Sequence, residues 1–168
     1  MKVQDLTAFL ESTGKDPFRL VFEDELTGIY NRRFLLRYLD SRIPWDSLEE
    51  RTVSLVMMDV DYFKSVNDTY GHLVGDRALT WFAEHLKAAA KKDGLPIRYA
   101  GDEFILLLET SDKPLAVSSA KKLLDRLHAD PFPIPEAETA IDLTASLGVA
   151  TVPADAGDWK GFIQKADL

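Results

Sequence analysis

Cysteine is absent from the chain. That excludes a disulfide framework, a thiolate metal centre and a cysteine nucleophile, and it fits a reducing compartment. Long apolar runs are absent too, and nothing approaches the ~20 consecutive residues that cross a bilayer. The opening residues, Met1-Lys2-Val3-Gln4-Asp5, lack the apolar core of a secretory signal. Cationic excess is also missing. The 20 lysines and arginines stand against 28 aspartates and glutamates, a formal net charge of −8, and such a chain does not offer a broad phosphate-tracking surface to a nucleic acid. A single nucleotide stays compatible with this charge, because a metal ion neutralises it locally. No internal repeat or low-complexity segment is present. The expectation is a cytoplasmic chain with neither nucleic acid nor membrane among its partners.

What is present is 168 residues, 46% hydrophobic and 29% charged, the composition of a globular domain with room for a full core. The most informative stretch is Arg98-Tyr99-Ala100-Gly101-Asp102-Glu103-Phe104, continued by Ile105-Leu106-Leu107-Leu108-Glu109. The short apolar run reads as a strand and Pro96-Ile97-Arg98-Tyr99 as another, with a turn between them that makes a β-hairpin. Adjacent carboxylates, Asp102 and Glu103, sit at its tip, where like charges repel and desolvation is costly. A second apolar run, Thr52 to Met58, ends in Asp59-Val60-Asp61. An acidic hairpin tip alone is ordinary. Acids at two separate strand ends are what a divalent cation needs, since Mg²⁺ takes hard oxygen ligands, usually one or two carboxylates together with substrate phosphates.

Along the chain, Val3, Leu6, Phe9 and Leu10 share one helical face, so Lys2–Ser12 is expected to be an amphipathic helix that Gly14 and Pro17 end. Residues 1–22 read as a helical lead-in and 23–168 as the main domain. Asn31 is the expected cap of a helix from Arg32 to Arg42 with Phe34, Leu35, Tyr38 and Leu39 inward. Arg32 and Arg33 lie at the end of that helix where cations are unfavourable, which leaves an anionic partner or plain solvation as readings. Pro44 to Arg51 is a polar loop. Tyr62 to Thr69 is helical with Asp61 as its cap. The free N–H groups near Tyr62, Phe63 and Lys64 form a phosphate cradle to which Lys64 adds a point charge. Asp76–Lys91 and Leu115–Ala129 are helices, Pro131 to Pro135 is an extended connector, Ile141–Val152 is a strand and Asp158–Leu168 a final helix. Asp76 reads as an N-cap and Asn67 as a helix-terminating residue, unless a ligand claims them. The order is that of an α+β, split βαβ domain: an antiparallel-containing central sheet with helices on one face.

Several segments in this order resemble the GGDEF family of diguanylate cyclases: Asp24-Glu25-Leu26-Thr27-Gly28 with Asn31-Arg32-Arg33, Asp59-Val60-Asp61-Tyr62-Phe63-Lys64 with Asn67-Asp68 and Gly71-His72, Gly75-Asp76, and the Arg98–Phe104 signature. Ser146-Leu147-Gly148-Val149-Ala150 resembles the family's last core strand. Order and spacing together make the match specific. The resemblance implies a palm-like, nucleotide cyclase-like fold and the condensation of two GTP into cyclic di-GMP with Mg²⁺ or Mn²⁺, working as a homodimer whose half-sites face each other. It also implies metal ligation by Asp59, the Val60 carbonyl, Asp102 and Glu103, and catalytic roles for Asp102, Glu103 and Lys64, Asp102 either as proton acceptor or through a metal-bound hydroxyl. Phe63 and Lys64 would hold phosphates, Asn67 and Asp76 the guanine with His72 nearby, Leu26 and Leu79 the base faces, and Gly101 the close approach to ribose. The lead-in would join a sensor domain or regulatory partner, or pack on its own domain.

The chain also departs from the family. Ala100 stands where the signature has its first glycine, a costly change if that position needs positive φ and a cheap one if it is extended. The family's product-inhibition motif, Arg-x-x-Asp, has Lys91 and Gly94 at its two defining places. Lysine cannot supply arginine's bidentate fork, so no product-inhibition site is expected. The family pattern continues past Leu168, so the domain reads as cut short at its C-terminus. The competing reading is a weak or degenerate module that binds GTP or a protein partner as a regulatory domain.

Overall fold

A computed structural model describes residues 12, 14, 16–90, 94–109 and 111–167. Apart from Ser12, the helix expected over Lys2–Ser12 lies outside the described residues, as does Lys91. The first described helix is α1 (Pro17–Phe22). Pro17, expected to end a helix, opens this one. The Asp16 side chain accepts from the Phe18 N–H at 2.9 Å, and proline fits the first helical turn, where its missing N–H is no loss. Then come β1 (Tyr30–Asn31), α2 (Arg32–Arg42), a 3₁₀ segment Trp45–Glu50 in place of the expected loop, and β2 (Val53–Val60). After these follow α3 (Phe63–Tyr70), α4 (His72–Ala90), β3 (Gly94–Ala100), β4 (Glu103–Glu109) and α5 (Lys113–Ala129). The chain continues through β5 (Phe132–Ile134), a 3₁₀ turn Pro135–Ala137, β6 (Thr139–Ile141), β7 (Ala145–Val152) and α6 (Trp159–Ala166).

The main sheet has five strands in the order β1-β3-β4-β2-β7, antiparallel except for β1 beside β3. Its four long strands lie in the sequence order second, third, first, fourth, which is the split βαβ arrangement. The strand expected over Ile141–Val152 is broken at 142–144. Its first part pairs with β5, inside the expected proline-rich connector, as a separate two-stranded sheet.

Helices cover both faces of the main sheet, not the single face expected. Val56, Met58, Val60, Phe104 and Leu106 pack with Phe82, Leu86, Leu123 and Leu127 of α4 and α5. Leu55, Met57, Ile105 and Leu107 point the other way, against Leu35 and Leu39 of α2 and Phe162 of α6. The physical reason is in β2 and β4 themselves, which are nearly continuous apolar runs. Such strands must be covered twice, whereas a strand with one wet face alternates. The buried Ser54 hydroxyl donates to the Ser111 carbonyl at 2.7 Å and lies 2.8 Å from the Thr151 hydroxyl. No buried side-chain polar atom among the described residues lacks a partner.

Phe82 is fully buried with its ring centroid 4.7 Å from that of Phe104. Phe82→Ala is expected to lower the unfolding free energy by about 3–5 kcal/mol, measured by urea denaturation.

Candidate active site

Antiparallel pairing delivers the acids to one place. Asp59, near the end of β2, is the register partner of Glu103 at the start of β4, and on its other side of Ser146 in β7. The Val60 N–H donates to the Asp102 carbonyl at 3.2 Å. Directly opposed residues project to the same sheet face, so the Asp59 and Glu103 side chains stand side by side, beyond Met57 and Ile105. Their electrostatics record this crowding. Burial, then the charges of Asp102 and Asp61, push the Asp59 carboxyl above its usual value. Burial, then Asp59, Asp167 and Asp102, push Glu103 up, opposed by Arg32. Arg32 itself lies over the Tyr99 ring, 4.9 Å from its centroid.

None of Asp59, Asp102 and Glu103 forms a salt bridge among the described residues. No three His, Cys, Asp or Glu side chains there gather closely enough to hold a metal ion by themselves. The three-carboxylate ligand set read from the sequence is therefore not a preformed cluster. The donors still suit a hard cation: crowded carboxylates without a salt bridge, beside a backbone carbonyl, match Mg²⁺, which completes its shell with phosphates and water.

The hairpin tip is held from outside. Arg98 donates to the Gly101 carbonyl from Nε at 2.9 Å and from Nη2 at 2.8 Å, and from Nη1 to Asp24 at 3.0 Å. Asp24 also accepts from the Thr27 N–H at 3.0 Å and its hydroxyl at 2.7 Å. Burial works to raise the Asp24 carboxyl, but these bonds from Thr27 and Arg98 outweigh it and hold it low. The loop they order carries Leu26, 37% exposed, and is fastened to α4 by Thr80 and Lys87, which donate to the Leu26 and Thr27 carbonyls at 3.4 and 3.2 Å. Gly101 has a φ of 39° with open space around it. Ala100 is the last residue of β3 and is not among the positive-φ residues, so its methyl group introduces no backbone strain.

On the other sheet face stand the residues assigned to the nucleotide. Tyr62 takes the left-handed conformation, φ 57° and ψ 23°, and precedes α3 with no side-chain cap. A non-glycine residue there costs roughly 1–2 kcal/mol, and its side chain is 84% exposed. Among the described residues the N–H groups of Phe63 and Lys64 find no acceptor. A left-handed residue leading into a helix turns such groups into one concavity suited to an anion. Asp61, expected to cap α3, does not. It accepts from the Thr144 and Ser146 hydroxyls at 2.6 and 2.7 Å and so clamps the start of β7 beside Asp59.

Helix α4 begins at His72, earlier than expected, which makes Asp76 an exposed residue inside the helix and not its cap. Asn67, in the last turn of α3, lies against Gly75. Leu79 is 3% exposed in the core beneath and could meet a base only as the floor of a site. Sequence reasoning assigned no role to the Asp61 clamp, the Tyr62 strain or the Gly75 contact. Asp24 and Arg98 were visible as motif members, but no local pattern joins them.

The profile of the family described as "Diguanylate cyclase, GGDEF domain" matches residues 21–168. Response regulator PleD of Caulobacter vibrioides is 30% identical over 161 residues, 96% of this chain and 36% of that protein. The bifunctional diguanylate cyclase/cyclic di-GMP phosphodiesterase MucR of Pseudomonas aeruginosa is 35% identical over 150 residues, 89% of this chain and 22% of that protein. The chain thus spans about a third or less of these relatives. Among solved structures, diguanylate cyclase SiaD in complex with its activator SiaC, from Pseudomonas aeruginosa, aligns with a TM-score of 0.79 at 29% identity, covering 98% of this chain and 60% of that one. The coiled coil and GGDEF domain of DgcB from Caulobacter crescentus, in complex with c-di-GMP, aligns with a TM-score of 0.80 at 24% identity, covering 98% and 84%, and shares the fold.

A carboxyl raised by folding adds stability below its unfolded value and loses that contribution as pH rises through its folded value. Asp59 and Glu103 are both raised. Glu103→Gln is therefore expected to raise the melting temperature of the metal-free protein at neutral pH. The gain should shrink as pH falls through the carboxylate range, as followed by calorimetry in EDTA.

Proposed function

This chain belongs to the GGDEF domain family, and from that premise we propose that it is a diguanylate cyclase that joins two GTP molecules into cyclic di-GMP and releases two pyrophosphates. The observation that carries this reading is the pairing of Asp59 with Glu103 and of the Val60 N–H with the Asp102 carbonyl. It brings acids together at the end of β2, shortly before the start of α3, where the free Phe63 and Lys64 N–H groups suit an anion. Each 3′-hydroxyl attacks the α-phosphate of the other nucleotide, so two copies of the chain work face to face. Asp59, Asp102, Glu103 and the Val60 carbonyl would hold Mg²⁺ or Mn²⁺. When bound, such an ion withdraws charge from the phosphates and acidifies the attacking hydroxyl.

The remaining chemistry is done by the protein. The Phe63 and Lys64 N–H groups and the Lys64 ammonium hold the phosphates. Asp102, at the hairpin tip, takes the proton of the attacking hydroxyl, and the open space at Gly101 admits the ribose. Asp76 accepts from guanine N1–H and the 2-amino group, with Asn67 and His72 beside it and Leu26 and Leu79 bounding the base. Adenine offers neither donor, and a polar site left unpaired in this way rejects the analogue by ~10⁴ or more. Residues ahead of α1 would connect the domain to a sensor or regulatory partner.

Two observations bear on the departures. Ala100 is extended, which removes the argument for degeneracy that its side chain raised. Gly94 opens β3, and a Cβ there would meet Leu106 Cδ1 at 2.9 Å and the Ala90 carbonyl oxygen at 3.0 Å. An aspartate of the family's inhibitory motif would need these atoms to give way, which supports reading the chain without a product site.

Incubation with GTP and Mg²⁺ is expected to yield a cyclic dinucleotide, identified by mass. Asp102→Ala should lower its formation by about two orders of magnitude or more, as loss of a positioned proton acceptor does. GTP binding without product would favour a regulatory module instead. Added cyclic di-GMP at low micromolar concentration is expected to leave the initial rate unchanged, and inhibition there would contradict the absence of a product site.

A further inference from the structure

Gly75, in the first turns of α4, is buried against α3. A Cβ built on it would lie 2.0 Å from Asn67 Oδ1, 3.0 Å from Asn67 Cγ and 3.3 Å from Phe63 Cζ. The first distance is impossible for a real side chain and the other two are tight, so the Asn67 carboxamide occupies the space that any other residue at 75 would fill. The joint between the helices is tight as well. The Gly71 N–H donates to the Asn67 carbonyl at 2.9 Å, and Gly75 N–H to the Gly71 carbonyl at 3.2 Å. Yet the Asn67 side chain has no hydrogen-bond partner among the described residues. A carboxamide held by shape alone, with its polar atoms unspent, thus packs against the residue that precedes the exposed Asp76 in α4.

We propose that Gly75 is a positioning residue for base selection: its missing side chain is the seat that holds the Asn67 carboxamide beside Asp76, so that together they read one edge of a purine. This rests on the assignment of Asn67 and Asp76 to guanine, and it adds the device that sets their geometry. Oδ1 is the amide atom turned to Gly75, which leaves the amide nitrogen as a donor. A donor beside an acceptor carboxylate complements guanine O6, N1–H and 2-amino group. Against adenine, the donor would face a 6-amino group and the carboxylate would face no N1–H. Alanine at 75 would not break the fold. The atoms it displaces first are the far end of a flexible side chain, Phe63 needs to give by only a few tenths of an ångström, and alanine is the better helix former.

The test is equilibrium binding of GTP and ATP to the full chain, by competition against a fluorescent GTP analogue, with melting temperatures recorded. Gly75→Ala is expected to melt no lower than wild type while its preference for GTP over ATP falls by on the order of tenfold or more. The double variant Gly75→Ala/Asn67→Ala is expected to discriminate no worse than Asn67→Ala alone, because both changes remove one device. Unchanged discrimination in Gly75→Ala, or independent and additive losses in the double variant, would overturn the proposal and leave glycine as a packing residue only. Wild type without any preference for GTP would overturn it together with the base assignment. Wild type that prefers GTP in binding but forms no cyclic dinucleotide would sink the cyclase reading while the Gly75 comparison still decides this one.

Discussion

The antiparallel pairing of β2 with β4 is the constraint on which the catalytic end of the molecule depends. Both strands are apolar almost throughout and are buried on both faces, so their register cannot slip without turning a whole set of side chains onto the wrong layer. That register ends by setting Asp59 opposite Glu103. Burial first, and then the charge of neighbouring acids, raises both carboxyls, and the hydrophobic layers behind them hold that repulsion in place. The core thus keeps together charges that would separate if left to themselves.

Around this pair the loops are tied down by polar contacts. Asp61 holds the entry to β7 through Thr144 and Ser146. Arg98 fixes the hairpin tip and joins it to Asp24. Tyr62 keeps a left-handed conformation that a bulky residue adopts only at a cost. Where surrounding contacts over-determine a strained residue, the strain can serve the site, and here it turns free N–H groups into the proposed phosphate concavity.

Much of this was legible in the chain. The hairpin, the strand ending in acids, the capped helix after Asn31 and the split βαβ order are written in local apolar runs and turn residues, and the ordered motifs carried the family. Illegible parts share one cause, dependence on residues distant in sequence or on another element. The groups that claim Asp61 from its expected capping role lie 83 and 85 residues away. Gly71 ends α3, but the immediate restart of α4 at His72 places Asp76 inside a helix. Pro17 shows the two senses of proline, which ends one helix or begins the next according to whether a cap precedes it. The second layer of helices could have been inferred from the unbroken apolar character of β2 and β4, which is the pattern of strands buried twice.

The central claim is that carboxylates from the end of β2 and from the hairpin jointly hold a divalent cation against a nucleotide triphosphate. Electron paramagnetic resonance of Mn²⁺, titrated with the protein and a non-hydrolysable GTP analogue, addresses it most directly. The account predicts nucleotide-dependent Mn²⁺ binding in the wild type that is weakened by Asp59→Asn and by Glu103→Gln separately. Mn²⁺ binding indifferent to both substitutions would contradict it.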